Sequence, residues 1–446
     1  MSGLPKTFFI GAATAAHQVE GNNKNSDYWA MEQMKYAGFN EPSLDAVDHY
    51  NRYEEDIRLM AEAGLTAYRF SIEWARIEPE QGTYDENEIA HYSKVLECCR
   101  ENGLEPIVTM HHFTSPKWLI DKGGWESEAT IDAFAKYCAY VTEKLGDLMQ
   151  YVCTINEANM GLQIAAIAER YKRQMMAKMQ AAPAAAPEAD EEKKDADKAK
   201  TEADSAVQVG INMQSMMENM KKQQEENRQV FGTDTPQIFV SARSEAGDML
   251  VMRAHRAAKA AMKAVRPELK IGLTLSLHDI QVEKGGEELA KKAWEEEFSH
   301  YLPYIREDDF FGLQNYTRSR YGADGILPAP KDARLTQMDY EDYPQALGNV
   351  IRRVHEELDI PIMVTENGIA TSDDERRVTF IQEALKGVEG CIAEGIPVLG
   401  YMYWSLLDNF EWQKGYSMTF GLIAVDRTTQ TRYPKQSLKM LGSYSR

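Results

Sequence analysis

Two glutamates in this chain could share one piece of chemistry. Glu157 stands in Thr154-Ile155-Asn156-Glu157-Ala158-Asn159 and Glu366 in Val364-Thr365-Glu366-Asn367-Gly368, each just past a short apolar, β-branched run. Two carboxyl groups converging from different strands are what glycosidic bond cleavage requires: one protonates the leaving oxygen while the other attacks or activates water. Either glutamate alone is equally compatible with a strand-end carboxylate that caps the next helix.

The elements that would hold them can be read along the chain. A short apolar run that ends in polar residues reads as a buried parallel strand presenting its last side chains at its carboxyl end. Eight such runs fall near 8–14, 66–72, 105–110, 151–156, 271–276, 310–316, 361–366 and 398–405, separated by helical patterns such as 48–63 before Gly64 and 88–101 before Gly103. Alternation of this kind predicts an α/β fold, a (β/α)8 barrel whose loops all reach one rim, where barrel enzymes place their chemistry. One catalytic domain over 1–446 is expected, although length alone would suggest about three domains.

Several separated segments then resemble glycoside hydrolase family 1 β-glucosidases. Phe9-Ile10-Gly11-Ala12-Ala13-Thr14-Ala15-Ala16-His17-Gln18-Val19-Glu20-Gly21 is similar to the family's amino-terminal signature and Tyr403-Trp404-Ser405-Leu406-Leu407-Asp408-Asn409-Phe410-Glu411-Trp412 to its carboxy-terminal one. Between them, in family order, lie Tyr68-Arg69-Phe70-Ser71-Ile72, His111-His112-Phe113-Thr114-Ser115-Pro116, both glutamate motifs and Asn315-Tyr316-Thr317. The resemblance implies Glu366 as nucleophile and Glu157 as general acid and later base. It implies Arg69 beneath the nucleophile, lowering its pKa, Tyr316 bonded to it, and Asn156 on the sugar 2-hydroxyl. Gln18, His112, Trp404, Glu411 and Trp412 match its sugar-binding positions. Glu411 can accept two hydroxyl protons, and an indole offers a flat apolar face and an N–H donor. A carboxylate at 411 would repel a 6-phosphate, so an unmodified hexose is expected. The alternative for Trp404 and Trp412 is core packing.

Departures from the family pattern accompany the matches. Ala158 stands where a proline usually follows the acid/base glutamate, Phe113 replaces a tryptophan, Gln314 replaces an asparagine, and Ser276 to Asp279 differs from the usual ending of the fifth strand. None removes a catalytic carboxylate. The largest departure follows the fourth strand, where 163–244 reads as an insertion in the β4–α4 loop. Ile164, Ile167, Tyr171 and Met175 recur at helical spacing, as do Met213, Met216, Met217 and Met220, around a polar stretch at 181–204 that predicts a flexible centre. The stripes could pack together, line the aglycone side or mediate self-association.

Composition narrows the remaining classes. A formal charge of −20 with no basic block argues against nucleic-acid binding. The apolar run at 8–16 lacks a basic leader and is read as the first strand, and no apolar stretch approaches the roughly 20 residues that span a bilayer. Five cysteines, at 98, 99, 138, 153 and 391, suggest reduced thiols in a cytoplasmic protein. His111 and His112 are adjacent and point to opposite sides, and His112 is chosen for the sugar by motif position. A metal site from His17, His49, His112 and His278 lacks ligand spacing. The resulting expectation is a cytoplasmic retaining β-glucosidase acting on a small β-glycoside, with no cofactor, metal, nucleic acid or membrane. A β-galactosidase, β-fucosidase, transglycosylase or sugar-binding pseudoenzyme stays open beside it.

Overall fold

The computed structural model describes residues 3–169 and 218–445. Eight parallel strands, each followed by a helix, alternate along it. The strands are β1 Phe9–Ala13, β2 Ala67–Ser71, β3 Glu105–His111, β4 Tyr151–Ile155, β5 in two pieces (Lys270–Gly272 and Thr274–Ser276), β6 Phe311–Gln314, β7 Ile362–Asn367 and β8 Val398–Trp404. The helices that follow them are α1 His49–Ala63, α2 Glu86–Glu101, α3 Ala129–Leu145, α4 Glu245–Val265, α5 Glu287–Glu297, α6 Ala346–Glu357, α7 Asp374–Ala393 and α8 Gln436–Gly442.

The sheet closes because β5 changes partner halfway. Its first piece pairs with β4, Cys153 opposite Gly272, and its second pairs with β6, Thr274 opposite Gly312. Leu273 is the pivot, buried in the core. β1 sits between β8 and β2, with Ala13 opposite both Trp404 and Arg69. All eight strands therefore end on one rim, with Arg69, Ile155, Ser276, Gln314, Glu366 and Trp404 near their carboxyl ends.

Helix ends follow local chemistry. Asp85 caps α2 by accepting from the N–H of Asn87 at 2.8 Å, so that helix opens at Glu86 rather than Glu88. Gly64, at φ +100°, closes α1 in the left-handed conformation that glycine adopts without strain. In α2, Ile89, Tyr92, Val95, Leu96 and Cys99 are buried at helical spacing, and these faces seal the outer layer of the barrel.

The β4–α4 excursion is helical at 160–169 and 218–231, and its described stretch from 232 to 244 is bends, turns and irregular backbone. Its last part returns to the barrel rim: Phe231 and Ile238 join Tyr28, Met31 and Ile120 in one apolar cluster, and Phe239 is fully buried. Glu226 anchors the second helix by accepting from the N–H groups of Lys35 and Tyr36, at 3.1 and 2.9 Å. Of the expected apolar stripes, Ile167 and Met220 are more than half exposed. Tyr171, Met175, Met213, Met216, Met217 and the polar centre at 181–204 lie outside the described residues.

Candidate active site

Glu366 and Arg69 meet at the centre of the rim. Arg69, on β2 with no exposed surface, donates from Nη1 to Glu366 Oε1 at 2.6 Å, and the Tyr316 hydroxyl donates to Glu366 Oε2 at 2.6 Å. Both oxygens of Glu366 thus carry a strong donor, one of them a full cation. Burial pushes the Glu366 carboxyl up, while Arg69 and Tyr316 pull it down without fully offsetting that burial. The expected lowering by Arg69 has the right sign; desolvation is the larger effect.

Glu157 has no such partner. It sits in the turn after β4, is buried, and its carboxyl is pushed well above the usual range, first by burial and then by the negative charge of Glu366; a Ser276 hydrogen bond and Arg69 act in the opposite sense. Two carboxyl groups with one adjacent cation cannot ionise equally. The salt bridge to Arg69 favours the charged form of Glu366, whereas burial and the charge of Glu366 favour the neutral form of Glu157.

The turn itself is built from β5. Glu157 adopts φ +44°, a left-handed conformation that costs a non-glycine residue about 1–2 kcal/mol. Its N–H donates to Thr274 Oγ1 at 2.9 Å, and the N–H of Ala158 donates to the Thr274 carbonyl at 3.0 Å. A proline at 158 could not make the second bond. Gln314, the other departure, donates from Nε2 to Asn156 Oδ1 at 2.6 Å and to Thr274 Oγ1 at 3.2 Å. The unusual residues at 158 and 314 thus converge on the turn that carries Glu157.

Asn156 and His112 form a polarised pair. Asn156 Oδ1 accepts from Arg69 Nη2 at 2.5 Å as well as from Gln314, which fixes the amide orientation and turns Nδ2 toward His112 Nε2 at 3.2 Å. Burial, with Arg69 and His111 adding to it, holds His112 well below its usual pKa, so the ring is neutral. With Nε2 accepting, the ring proton is on Nδ1, a buried donor without a partner. His111 points the other way, into an aromatic core of Trp125, Phe134 and Phe239, with Nε2 on Ser115 Oγ at 3.0 Å.

Gln18, Glu411 and the tryptophans complete the same rim. Gln18 Nε2 donates to the Phe410 carbonyl at 2.8 Å and to Glu411 Oε2 at 3.2 Å, which leaves Gln18 Oε1 buried without a partner. Burial, then the charge of Glu366, pushes Glu411 up to about 8, despite hydrogen bonds from Gln18, Asn409 and Trp404. Trp404 stacks near His112 with ring centroids 5.5 Å apart. All ten residues picked out from the sequence are therefore at or beside one site.

Other residues pack against these ten. His17 lies parallel to Trp412, centroids 5.9 Å apart and 1° between planes, with its Nε2 on Glu32 Oε1 at 2.7 Å. Phe113 packs between Trp412 and Phe239, so the end of the excursion fills space beside the substituted position. Tyr340, on the β6–α6 loop, keeps 39% of its surface exposed, and partial desolvation with the charges of Glu411 and Glu157 raises its pKa. The four histidines considered for a metal are not gathered: His49 bonds Asp56 and Tyr68, and His278 faces Glu297. Among the described residues, no cluster of three His, Cys, Asp or Glu side chains is arranged to hold a metal ion.

Known proteins share this architecture. The model for glycosyl hydrolase family 1 matches residues 1–445. The beta-glucosidase of Agrobacterium sp. is 28% identical over an alignment covering 98% of this chain and 94% of its own. The 6-phospho-beta-galactosidase 1 of Streptococcus pneumoniae is also 28% identical, covering 97% and 96%. The crystal structure of beta-glycosidase BGL167 superposes with a TM-score of 0.85 at 44% identity, covering 100% of this chain and 97% of that one. A match of this extent on a barrel with this rim means that the chain belongs to glycosyl hydrolase family 1 and is a hydrolase of β-glycosides.

Proposed function

We propose that the chain is a retaining β-glucosidase that works through a covalent glycosyl-enzyme, with Glu366 as nucleophile and Glu157 as acid and base. The observation that carries this reading is the asymmetry between the two carboxyl groups: Glu366 is bonded by Arg69 and Tyr316, whereas Glu157 is buried beside a negative charge. In the first step Glu366 attacks the anomeric carbon as Glu157 gives its proton to the departing oxygen. The ester that forms is neutral, so the repulsion that kept Glu157 protonated is gone. In the second step Glu157 takes a proton from water, the oxygen of that water bonds the anomeric carbon, and Glu366 leaves as a carboxylate into its bonds with Arg69 and Tyr316.

A neutral sugar suits the groups left to meet it. Gln18 Oε1 offers an acceptor, His112 Nδ1 a donor and Glu411 a carboxyl, while Asn156 Nδ2 retains a second N–H for the 2-hydroxyl. Leaving such groups unpaired costs about 1–3 kcal/mol each, which a polyol relieves on binding. The 6-phospho-beta-galactosidase relatives keep a second glycone in view. Against it stands Glu411, whose bonded neighbours Gln18, Asn409 and Trp404 are neutral. The reading extends to one catalytic domain with 163–244 as an excursion from it, and to a cytoplasmic setting, supported by five free thiols. Incubation with a 2-fluoro-β-glucoside bearing a good leaving group, followed by peptide mass spectrometry, tests it. Stoichiometric label on Glu366 is expected, and label elsewhere, or an α-anomer as the first product seen by proton NMR, would overturn it.

A further inference from the structure

Arg243 lies outside every motif, at the point where the β4–α4 excursion ends and α4 begins. It is buried to 5% exposure, and its guanidinium is spread over the turn that carries Glu157. Nη1 donates to the carbonyl of Ala158 at 3.2 Å and Nη2 to the carbonyl of Phe239 at 2.6 Å, while the backbone N–H of Arg243 donates to the Gly161 carbonyl at 3.2 Å. The guanidinium also lies over the Phe239 ring, 4.6 Å from its centroid. Its counter-charge is Asp248, 3.9 Å away on α4, which Tyr301 and His300 hold at 3.0 and 3.1 Å.

The chain makes room for this contact. A Cβ added at Gly161 would stand 2.6 Å from the guanidinium carbon, so only a glycine there lets the cation lie against the turn. On the other side, β5 holds the N–H groups of residues 157 and 158, and Arg243 holds the carbonyl of residue 158. The strained φ of Glu157 persists only where its surroundings over-determine it. Clamped from both sides, the turn has little freedom to move the carboxyl.

We propose that Arg243 is a positioning residue for proton transfer: by gripping Ala158 and Phe239 together it sets the direction of Glu157 and couples the end of the excursion to the acid/base group. The inference rests on the reading of Glu157 as acid and base. A buried charge used in this way does not touch substrate. Its effect must therefore appear selectively where a proton is needed. A misplacement of about 1 Å costs on the order of 100-fold in a step that depends on geometry, whereas a substrate whose leaving group needs no proton is indifferent to it.

The test compares Arg243→Met, Arg243→Lys and Gly161→Ala with the parent on 2,4-dinitrophenyl β-glucoside, which departs unaided, and phenyl β-glucoside, which needs its proton. For Arg243→Met, kcat/KM on the phenyl substrate is expected to fall about 10- to 100-fold, and on the dinitrophenyl substrate less than about threefold. Arg243→Lys, reaching one carbonyl rather than two, should lie between, and Gly161→Ala should show the same selectivity by displacing the cation without deleting it. The alkaline limb of the phenyl profile should move to lower pH as Glu157 gains solvent. The groups facing it, Glu366, Arg69, Glu411, Tyr316 and Tyr340, are unchanged by these substitutions. If Arg243→Met fails to fold, the other two variants decide. Equal losses on both substrates, or none, in the folded variants overturn the inference. Glu157→Ala measured in parallel separates the two readings, because absence of leaving-group dependence there would remove the role of Glu157 itself.

Discussion

Tyr316→Phe isolates one of the two bonds that hold Glu366, the proposed nucleophile. The hydroxyl donates to Glu366 Oε2 at 2.6 Å in a buried site, and Arg69 would remain on Oε1 at 2.6 Å, so the carboxylate keeps its cation and loses one neutral donor. A hydrogen bond to a charged group contributes about 1.5–3 kcal/mol. At about 1.36 kcal/mol per factor of ten, that is roughly 10- to 150-fold. The loss falls mainly on the second step, in which Glu366 must depart as a carboxylate and the donor stabilises the charge that develops on it. With 2,4-dinitrophenyl β-glucoside, kcat is expected to fall within that range, KM to fall with it as the glycosyl-enzyme accumulates, and a burst of dinitrophenol to precede the steady state. The pH dependence has a definite sign. Tyr316 acts to lower the Glu366 pKa, so its removal raises it. Since the nucleophile must be ionised, the acidic limb of kcat/KM moves to higher pH. A kcat within threefold of the parent, without a burst or a shift of that limb, would refute the assignment of Tyr316 and weaken that of Glu366.

Three further outcomes are expected. Azide should rescue Glu157→Ala by trapping the glycosyl-enzyme as the β-glycosyl azide and Glu366→Ala by giving the α-glycosyl azide, since each anion enters from the face vacated by the missing carboxylate; the same anomer from both would reverse the division of roles. Preference for an aryl β-glucoside over its 6-phosphate should grow between pH 7 and 9, because Glu411 is pushed up to about 8 and repels a phosphate only once ionised; a ratio of kcat/KM values that stays flat or falls would show that another group sets the discrimination. Replacing 181–204 with a short Gly/Ser linker should preserve the thermal midpoint and hydrolysis of a small aryl glucoside, because that polar stretch has little apolar surface to bury; loss of either would show that the barrel depends on it.

How a buried carboxylate titrates here is decided by partners far away in sequence. Arg69 and Glu366 are 297 residues apart, and the Asn156–Gln314 bond spans 158. The sequence motifs could name both ends of such pairs but not the sign of the result. Burial raises Glu366 even though Arg69 works to lower it, and Glu411, picked out as a carboxylate that repels phosphate, is pushed up to about 8 by the low-dielectric site it shares with Glu366. The argument against a 6-phosphate consequently gains a pH dependence that side-chain identities alone did not contain.

The eight strands and both carboxyl groups were legible in the residues themselves. Short apolar runs such as Tyr151–Ile155 and Ile362–Asn367 bury on both faces and lead into polar side chains at or just past their ends, a pattern set by neighbours a few positions away. Gly64 and Gly103, both in left-handed conformations, likewise close helices for reasons internal to each glycine. Tertiary structure alone decided which strand ends face one another: that β5 switches partner at Leu273, that Thr274 and Gln314 hold the turn of Glu157 where the family pattern is broken, that Asn156 is the partner of His112, and that Arg243 returns from the excursion to clamp Ala158. The reason is that local pattern fixes which face of an element is apolar, whereas the register of strand pairing and the closure of the barrel fix which polar groups come within hydrogen-bond distance, and no local pattern encodes that distance.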